Sequence, residues 1–134
     1  MTPTNETVSA DQFIAKPPTR VWQALTTPGE LAKWWAPGDI KPLVGHKFVM
    51  DMGQWGQVTC EVTEMEEYRR LVFSFGDWTL AWELIAEGTG TRLVLHHSGF
   101  DLSRPQDRFA FENMGPGWSS AVLPRLAMML GSEQ

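Results

Sequence analysis

The segment WTLAWELIAEGTGTRLVLHHSGF, residues 78–100, decides the fold, because its apolar and polar residues alternate in two runs separated by Gly-Thr-Gly. In an extended strand successive side chains point to opposite faces, so Trp78 and Trp82 share one face of the first run. Leu95 and His97 share one face of the second run. Two such runs joined by a short glycine-containing turn predict a β-hairpin with one covered face and one solvated face.

The same two-residue period continues through the second half of the chain. Strands are predicted at residues 46–52, 57–65 and 70–76, with a turn at residues 53–56, and a further strand precedes them at residues 7–15. Together with the hairpin, these runs predict a curved antiparallel sheet of about six strands.

Two short helices are predicted between the first and second strands. Pro18 and Pro28 each open one of them, because a residue in the first helical turn needs no backbone N–H. A Pro-Gly pair ends the second helix directly after Trp34 and Trp35. Since neighbouring helix residues point about 100° apart, one packing face does not easily accommodate both tryptophans.

Residues 106–130 predict the element that covers the sheet. Their apolar stripe, which includes Trp118 and Val122, is typical of a helix with one buried face. A break is expected at the Gly-Pro-Gly of residues 115–117 and a kink at Pro124, because proline removes a backbone donor. The predicted fold class is therefore α+β, with the sheet wrapped around a long C-terminal helix.

Composition and charge exclude several classes of function. A length of 134 residues fits one domain over residues 1–134, and the net charge of −5 without a basic cluster argues against nucleic-acid binding. Cys60 is the only cysteine, so no intrachain disulfide can form, which fits a reducing compartment. The sequence has no signal-peptide pattern and no apolar run of membrane-spanning length, so we expect a cytoplasmic protein without membrane contacts.

Three segments together resemble a known superfamily. They are PPTRVWQALTTPGELAKWW (residues 17–35), GTGTRLVLHHSGF (residues 88–100) and GWSSAVLPRL (residues 117–126). Their order and spacing resemble the START-like helix-grip superfamily, also called SRPBCC, over about residues 7–130. The most similar branch is that of the homologues of the activator of the 90-kDa heat-shock-protein ATPase.

The resemblance implies that the sheet and the terminal helix enclose a cavity, with the two short helices at its mouth. One of Trp34 and Trp35 then wedges between a short helix and the terminal helix while its neighbour faces the entrance or solvent; alternatively, both only close the fold. Strand periodicity gives the inward positions, which either line a cavity or fill it completely. The candidate ligand-binding residues are Trp34, Trp35, Phe48, Met50, Cys60, Phe73, Phe75, Trp78, Trp82, His97, Trp118 and Val122. The same inner face is predicted for Met52, Val58, Leu80 and Leu95.

His97 is the candidate catalytic residue, because a titratable group on the predicted inner face can act as a general acid or base near neutral pH. It can equally orient a ligand, or be a neutral histidine held by one hydrogen-bond partner. His96 points to the opposite face, so the two histidines cannot ligate one metal ion. Neither Cys60 nor His46 adds a ligand spacing. We therefore predict no metal site and no cofactor.

Three functions are compatible with these observations. The first is binding of a small hydrophobic or aromatic molecule in the cavity by a non-enzymatic carrier, sensor or protective binder that is a monomer or weak homodimer. The second, which the superfamily also contains, is a polyketide-cyclase-like enzyme acting in the same cavity. The third is a chaperone-ATPase co-factor, which we rank last because those activators carry an additional N-terminal domain that these 134 residues do not include.

Overall fold

The computed structural model describes residues 5–133, in which six antiparallel strands form one curved sheet. The strands are β1 (Asn5–Ile14), β2 (Lys47–Asp51), β3 (Gln57–Glu66), β4 (Arg70–Phe75), β5 (Trp78–Glu87) and β6 (Gly90–Asp101). Their order across the sheet is β1-β6-β5-β4-β3-β2, so β2 to β6 pair consecutively and β1 joins the far side of β6. The predicted six-stranded antiparallel sheet is confirmed.

The hairpin of β5 and β6 has the register that its alternation predicts. Leu80 lies opposite His97 and Trp82 lies opposite Leu95, and all four side chains are fully buried. His96 is half-buried on the other face of the sheet. The covered face of this hairpin therefore supplies the central part of the core.

The alternation in β6 shifts at Gly99, where φ is +95° and the β1–β6 register skips a residue. Glycine adopts this left-handed conformation without a steric penalty, and such bulges re-aim the next side chain. Phe100 is consequently buried, and its ring centroid lies 4.4 Å from that of His97.

Helices α1 (Pro18–Thr26) and α2 (Pro28–Trp34) follow β1, each with proline in its first turn, as predicted. Each helix is short and buries one face, with Val21 and Leu25 inward in α1 and Leu31 inward in α2. The two helices pack on each other and close one end of the core.

A continuous helical segment covers the sheet. It consists of α3 (Pro105–Gly117), one π-helical turn (Trp118–Val122) and α4 (Leu123–Gly131). The long C-terminal helix is thus confirmed, but the break predicted at residues 115–117 is wrong, because α3 continues through this Gly-Pro-Gly.

Gly115 lets α3 pack closely on β1. A Cβ atom built on Gly115 would lie only 2.9 Å from a methyl carbon of Val8. Pro116 lacks one backbone donor, and the helix nevertheless continues through it. The sequence pattern therefore predicts a break at the proline, but it does not predict that β1 packs against this part of α3.

The π turn lies directly before Pro124, where the sequence predicts a kink. The Leu123 N–H bonds to the carbonyl of Trp118, five residues earlier, instead of to the carbonyl four residues earlier. In a regular α-helix a proline clashes with the carbonyl four residues before it. With the wider turn, Trp118 and Val122 face the sheet. The fully buried Leu126 of α4 lies on the same side of the helical segment.

Candidate ligand cavity

A cavity of about 620 Å³ lies between the sheet and α3. The side formed by the sheet and by the chain after α2 is lined by Trp35, Met52, Trp55, Val58, Phe75 and Trp78. The side formed by the terminal helical segment is lined by Gln106, Phe109, Ala110, Asn113, Met114, Gly117, Trp118 and Val122. Both sides are therefore needed to form the site.

The wall of this cavity is apolar and carries no charge. Apart from indole N–H groups, the amides of Gln106 and Asn113 are its polar side chains, and none of the described lining residues is ionisable. The volume falls within the roughly 300–1,000 Å³ typical of small-molecule sites. Met52 and Met114 add flexible thioethers that adapt to the shape of a ligand. The wall suits an apolar molecule of moderate size.

Three aromatic rings form a row along the sheet side of the wall. The ring centroids of Trp35 and Phe75 are 5.6 Å apart with an interplanar angle of 33°, and those of Phe75 and Trp78 are 6.4 Å apart with an angle of 25°. These successive ring contacts make the sheet side of the wall predominantly aromatic. Such a surface favours a flat ring over a bulky aliphatic group.

The adjacent tryptophans take different positions because α2 ends between them. Trp34, the last residue of α2, is fully buried, and its Nε1–H donates to the carbonyl oxygen of Ala24 in α1 at 3.0 Å. Trp35 has left the helical path, with φ −131° and ψ −86°, and its side chain lines the cavity. Trp34 therefore packs the helices together, whereas Trp35 is available to a ligand.

The mouth of the cavity lies between α3 and the 3₁₀ turn that follows β2. Trp55 in this turn is 67% exposed, and Phe109 of α3 is also exposed. Their ring centroids are 6.2 Å apart, so the two rings meet across the opening. Gln106 and Asn113 are exposed lining residues of α3 and mark the same rim.

A buried carboxylate holds the start of α3 in place. Asp107 is 2% exposed, and its Oδ2 accepts a hydrogen bond from the backbone N–H of Asp101 at the end of β6, at 2.9 Å. A carboxylate in the first turn also interacts favourably with the positive end of the helix dipole. This bond fixes the helical side of the cavity relative to the sheet.

His97 lies behind the wall of the cavity and does not line it. Its side chain is fully buried, and its Nδ1 accepts a hydrogen bond from Nε1–H of Trp118 at 3.1 Å. Trp118 and Trp78, whose ring centroid is 5.3 Å from that of His97, stand between the imidazole and the cavity. Because Nδ1 is an acceptor, the neutral imidazole carries its proton on Nε2.

Burial lowers the pKa of His97 from 6.5 to about 4. Its neighbours among the described residues are aromatic and supply no carboxylate that would stabilise an imidazolium, so desolvation dominates. The histidine is therefore neutral near pH 7. This arrangement matches the expected neutral histidine held by one partner, and it does not match a proton-transfer group in contact with a ligand.

The structure divides the sequence-predicted site residues into two groups. Those that line the cavity are Trp35, Phe75, Trp78, Trp118 and Val122, together with Met52 and Val58. The remaining ones are buried in the packed core, outside the lining: Trp34, Phe48, Met50, Cys60, Phe73, Trp82 and His97, with Leu80 and Leu95. Strand periodicity identifies the inward face, but α2 and its neighbouring residues cover part of that face. Trp35 for example packs over Phe73 with ring centroids 6.4 Å apart.

The sequence analysis did not identify any of the six lining residues on α3, nor the aromatic residue of the turn after β2. These residues are Trp55, Gln106, Phe109, Ala110, Asn113, Met114 and Gly117. Their spacing of three, four and seven residues is that of one helix face. Because amides and a glycine interrupt the apolar residues, the hydrophobic period alone did not show this face.

Residues 5–133 contain neither a metal-binding cluster nor a membrane-spanning helix. No group of three or more His, Cys, Asp or Glu side chains is arranged to hold a metal ion. No helix in this part of the chain is long and apolar enough to cross a membrane. The core thiol of Cys60 has its pKa raised to about 12 by burial, which keeps it protonated and unreactive.

Several solved structures share this fold. The protein MLL2253 from Mesorhizobium loti has a TM-score of 0.86 at 29% identity, over 96% of this chain and 99% of that chain. BH1534 from Bacillus halodurans has a TM-score of 0.82 at 26% identity, over 93% of this chain and 96% of that chain. DynU16, from the dynemicin biosynthetic locus, has a TM-score of 0.78 at 26% identity, over 94% of this chain and 47% of that chain. No curated protein matches the sequence.

A family model described as activator of Hsp90 ATPase homolog 1-like protein matches residues 15–131. The matched region contains α1, α2, five of the six strands and the terminal helical segment, and hence both sides of the cavity. The resemblance identified from three sequence segments is thus confirmed. The chain belongs to the family of activator of Hsp90 ATPase homolog 1-like proteins and has its helix-grip (SRPBCC) fold.

Proposed function

We propose that the protein binds a small apolar or aromatic molecule in the cavity between the sheet and α3, as a carrier, sensor or protective binder. The observation that carries this proposal is the apolar, largely aromatic wall around about 620 Å³. Transfer of apolar ligand surface from water to such a wall is favourable by roughly 25 cal/mol per Å². The place of the similar protein DynU16 in a biosynthetic locus supports a small-molecule role.

Binding without turnover accounts for the site better than catalysis does. A cyclase-like enzyme in the same cavity needs an acid or base in contact with the reacting chain. None of the described lining residues titrates near neutral pH, and His97 is separated from the cavity by Trp78 and Trp118. The description of the family names an activator of an ATPase. Our proposal is based on the apolar cavity of this chain and not on that description.

Naphthalene, a flat and uncharged probe, tests the proposal by fluorescence titration or calorimetry. We expect saturable binding with one site per chain and a rise in Tm with probe concentration. Gly117→Trp should weaken this binding at least tenfold, because Gly117 lines the cavity and a Cβ there meets nothing within 4 Å. The new side chain would occupy the space of the probe.

Gly29→Trp is the matched control. Gly29 is an exposed residue of α2 outside the lining, and a Cβ there also meets nothing within 4 Å. This variant should bind naphthalene as the unchanged protein does. Absence of saturable binding, or equal binding by the two variants, would contradict the proposed site.

A further inference from the structure

We infer that the molecule bound in this cavity is uncharged and flat, and that its edge facing α3 carries hydrogen-bonding groups read by Gln106 and Asn113. The inference rests on the proposed function and names the chemical class of the ligand. It derives from the distribution of polar side chains around the cavity. Apart from indole N–H groups, the sheet side is apolar and aromatic, whereas α3 contributes both amides.

The two amides lie on one face of α3. A separation of seven residues places Gln106 and Asn113 two helical turns apart, about 10 Å along the axis. Both are exposed residues at the mouth of the cavity. A ligand whose apolar body lies against the sheet therefore turns one long edge towards both amides.

Asn113 has a free acceptor for this edge. Its Nδ2 donates to the carbonyl oxygen of Phe109, one turn earlier, at 2.7 Å. This bond orients the amide, and among residues 5–133 no donor engages its Oδ1. A hydroxyl or N–H group of the ligand can donate to that oxygen.

Gln106 offers a donor. In the orientation of its amide that suits its surroundings, the oxygen accepts from Arg104 Nη2 at 2.9 Å and from Nε at 3.2 Å. Since Arg104 engages the oxygen, the group that Gln106 can offer to a carbonyl or hydroxyl oxygen of the ligand is its NH₂. The two amides thus prefer different groups on the ligand, an acceptor near Gln106 and a donor near Asn113.

The electrostatics of the site favour a neutral ligand. None of the described lining residues is charged, and Arg104, the cation beside Gln106, is 3.5 Å from the carboxylate of Asp77. An ionised group placed in the apolar part of the cavity would lose its hydration without gaining a partner. The aromatic side chains of Trp35, Phe75 and Trp78 in the wall favour a flat aromatic body, with which they can make ring–ring contacts.

Three probes with one ring system test the inference: naphthalene, 2-naphthol and naphthalene-2-sulfonate. At pH 7 we expect 2-naphthol to bind about tenfold more tightly than naphthalene, because one hydrogen bond is added. The sulfonate should bind at least tenfold more weakly than naphthalene. Asn113→Leu should abolish the advantage of 2-naphthol over naphthalene, because leucine offers no acceptor to the hydroxyl group.

Glu112→Leu is the matched control, since it also replaces a polar side chain of α3 but lies outside the cavity lining. It should keep the advantage of 2-naphthol. Equal affinity of the unchanged protein for naphthalene and 2-naphthol, or tightest binding of the sulfonate, would overturn the inference and leave the proposed function standing. Failure of all three probes to bind would overturn the proposed function itself.

Discussion

At the scale of single residues, His97 and Trp118 link the core to the cavity. The indole of Trp118 lines the cavity with one face and donates its Nε1–H to the buried imidazole at 3.1 Å. A buried hydrogen bond of this kind stabilises by about 1 kcal/mol, and leaving the indole donor unpaired costs about 1–3 kcal/mol. His97 therefore positions a wall residue.

The low pKa of His97 predicts a pH dependence of stability. An unfolded histidine has a pKa of 6.5, whereas burial lowers that of His97 to about 4. Between these values the unfolded chain binds a proton that the folded chain does not, so the free energy of unfolding falls as the pH drops from 6.5 to 4. At 1.36 kcal/mol per pH unit the total is about 3 kcal/mol, and above pH 6.5 this group has no effect. Urea unfolding between pH 7 and 5 measures this slope.

Two substitutions isolate the histidine responsible. His97→Gln should remove the slope, because glutamine does not titrate and its oxygen can still accept from Trp118. His96→Gln should keep it, since His96 lies on the outer face, where its Nδ1 is 2.8 Å from Ser9 Oγ. An unchanged slope in His97→Gln would refute the assignment.

The tryptophan pair should show separate effects on stability and on binding. Trp34→Phe removes the hydrogen bond to the Ala24 carbonyl and part of a fully buried ring. We therefore expect the free energy of unfolding to fall by about 1–3 kcal/mol. The affinity for naphthalene should not change, because Trp34 lies outside the cavity lining. Trp35→Leu should weaken naphthalene binding several-fold, because its ring lines the cavity. Equal effects of both variants on affinity would contradict this division.

At the scale of elements, α4 holds the terminal helix on the sheet through one face. Leu126 is fully buried, whereas Met128 on the same helix is 76% exposed. Leu126→Ala should lower the free energy of unfolding by about 2–5 kcal/mol, and Met128→Ala should change it by less than about 0.5 kcal/mol. Denaturant unfolding of both variants measures the difference, and similar values for the two would disprove the orientation of α4.

The rings of Trp55 and Phe109 should control the rate of ligand exchange. They meet at the mouth with centroids 6.2 Å apart, so we expect them to hinder the passage of a ligand. Trp55→Ala should accelerate association and dissociation of naphthalene several-fold, with a smaller effect on the equilibrium constant. Stopped-flow fluorescence measures both rates. Ile85→Ala, a change at another exposed side chain, should leave them unaltered, and unaltered rates in Trp55→Ala would exclude the gating role.

At the scale of the whole molecule, local patterns predicted the elements well and the cavity only in part. The alternation in β5 and β6 and the prolines that open α1 and α2 are local signals, and the structure confirms the elements they predict. Whether an inward residue lines the cavity depends on what covers it. Trp35 over Phe73 is such a case, because the contact joins chain segments far apart in sequence.

Local sequence patterns also did not predict the helical side of the cavity. In the sequence, Asn113 and Gln106 are typical of polar residues on the surface of a helix. They lie at the rim of the cavity because α3 packs over the sheet. In the sequence, Gly115 indicates a helix break, and only the structure shows that it lies against Val8. The positions of these three residues depend on contacts between segments far apart in the sequence. The spacing of apolar residues along one segment contains no information about such contacts.

The π turn has a consequence for how the chain can change length. Because Leu123 N–H reaches back five residues to Trp118, the turn holds one residue more than an α-helix joining the same two ends. Deletion of one of the exposed residues Ser119, Ser120 or Ala121, combined with Pro124→Ala, would restore a regular helix and keep the faces on either side. A relative with a one-residue gap here would thus retain the same cavity, so the gap would record a local deletion and not a rearranged fold.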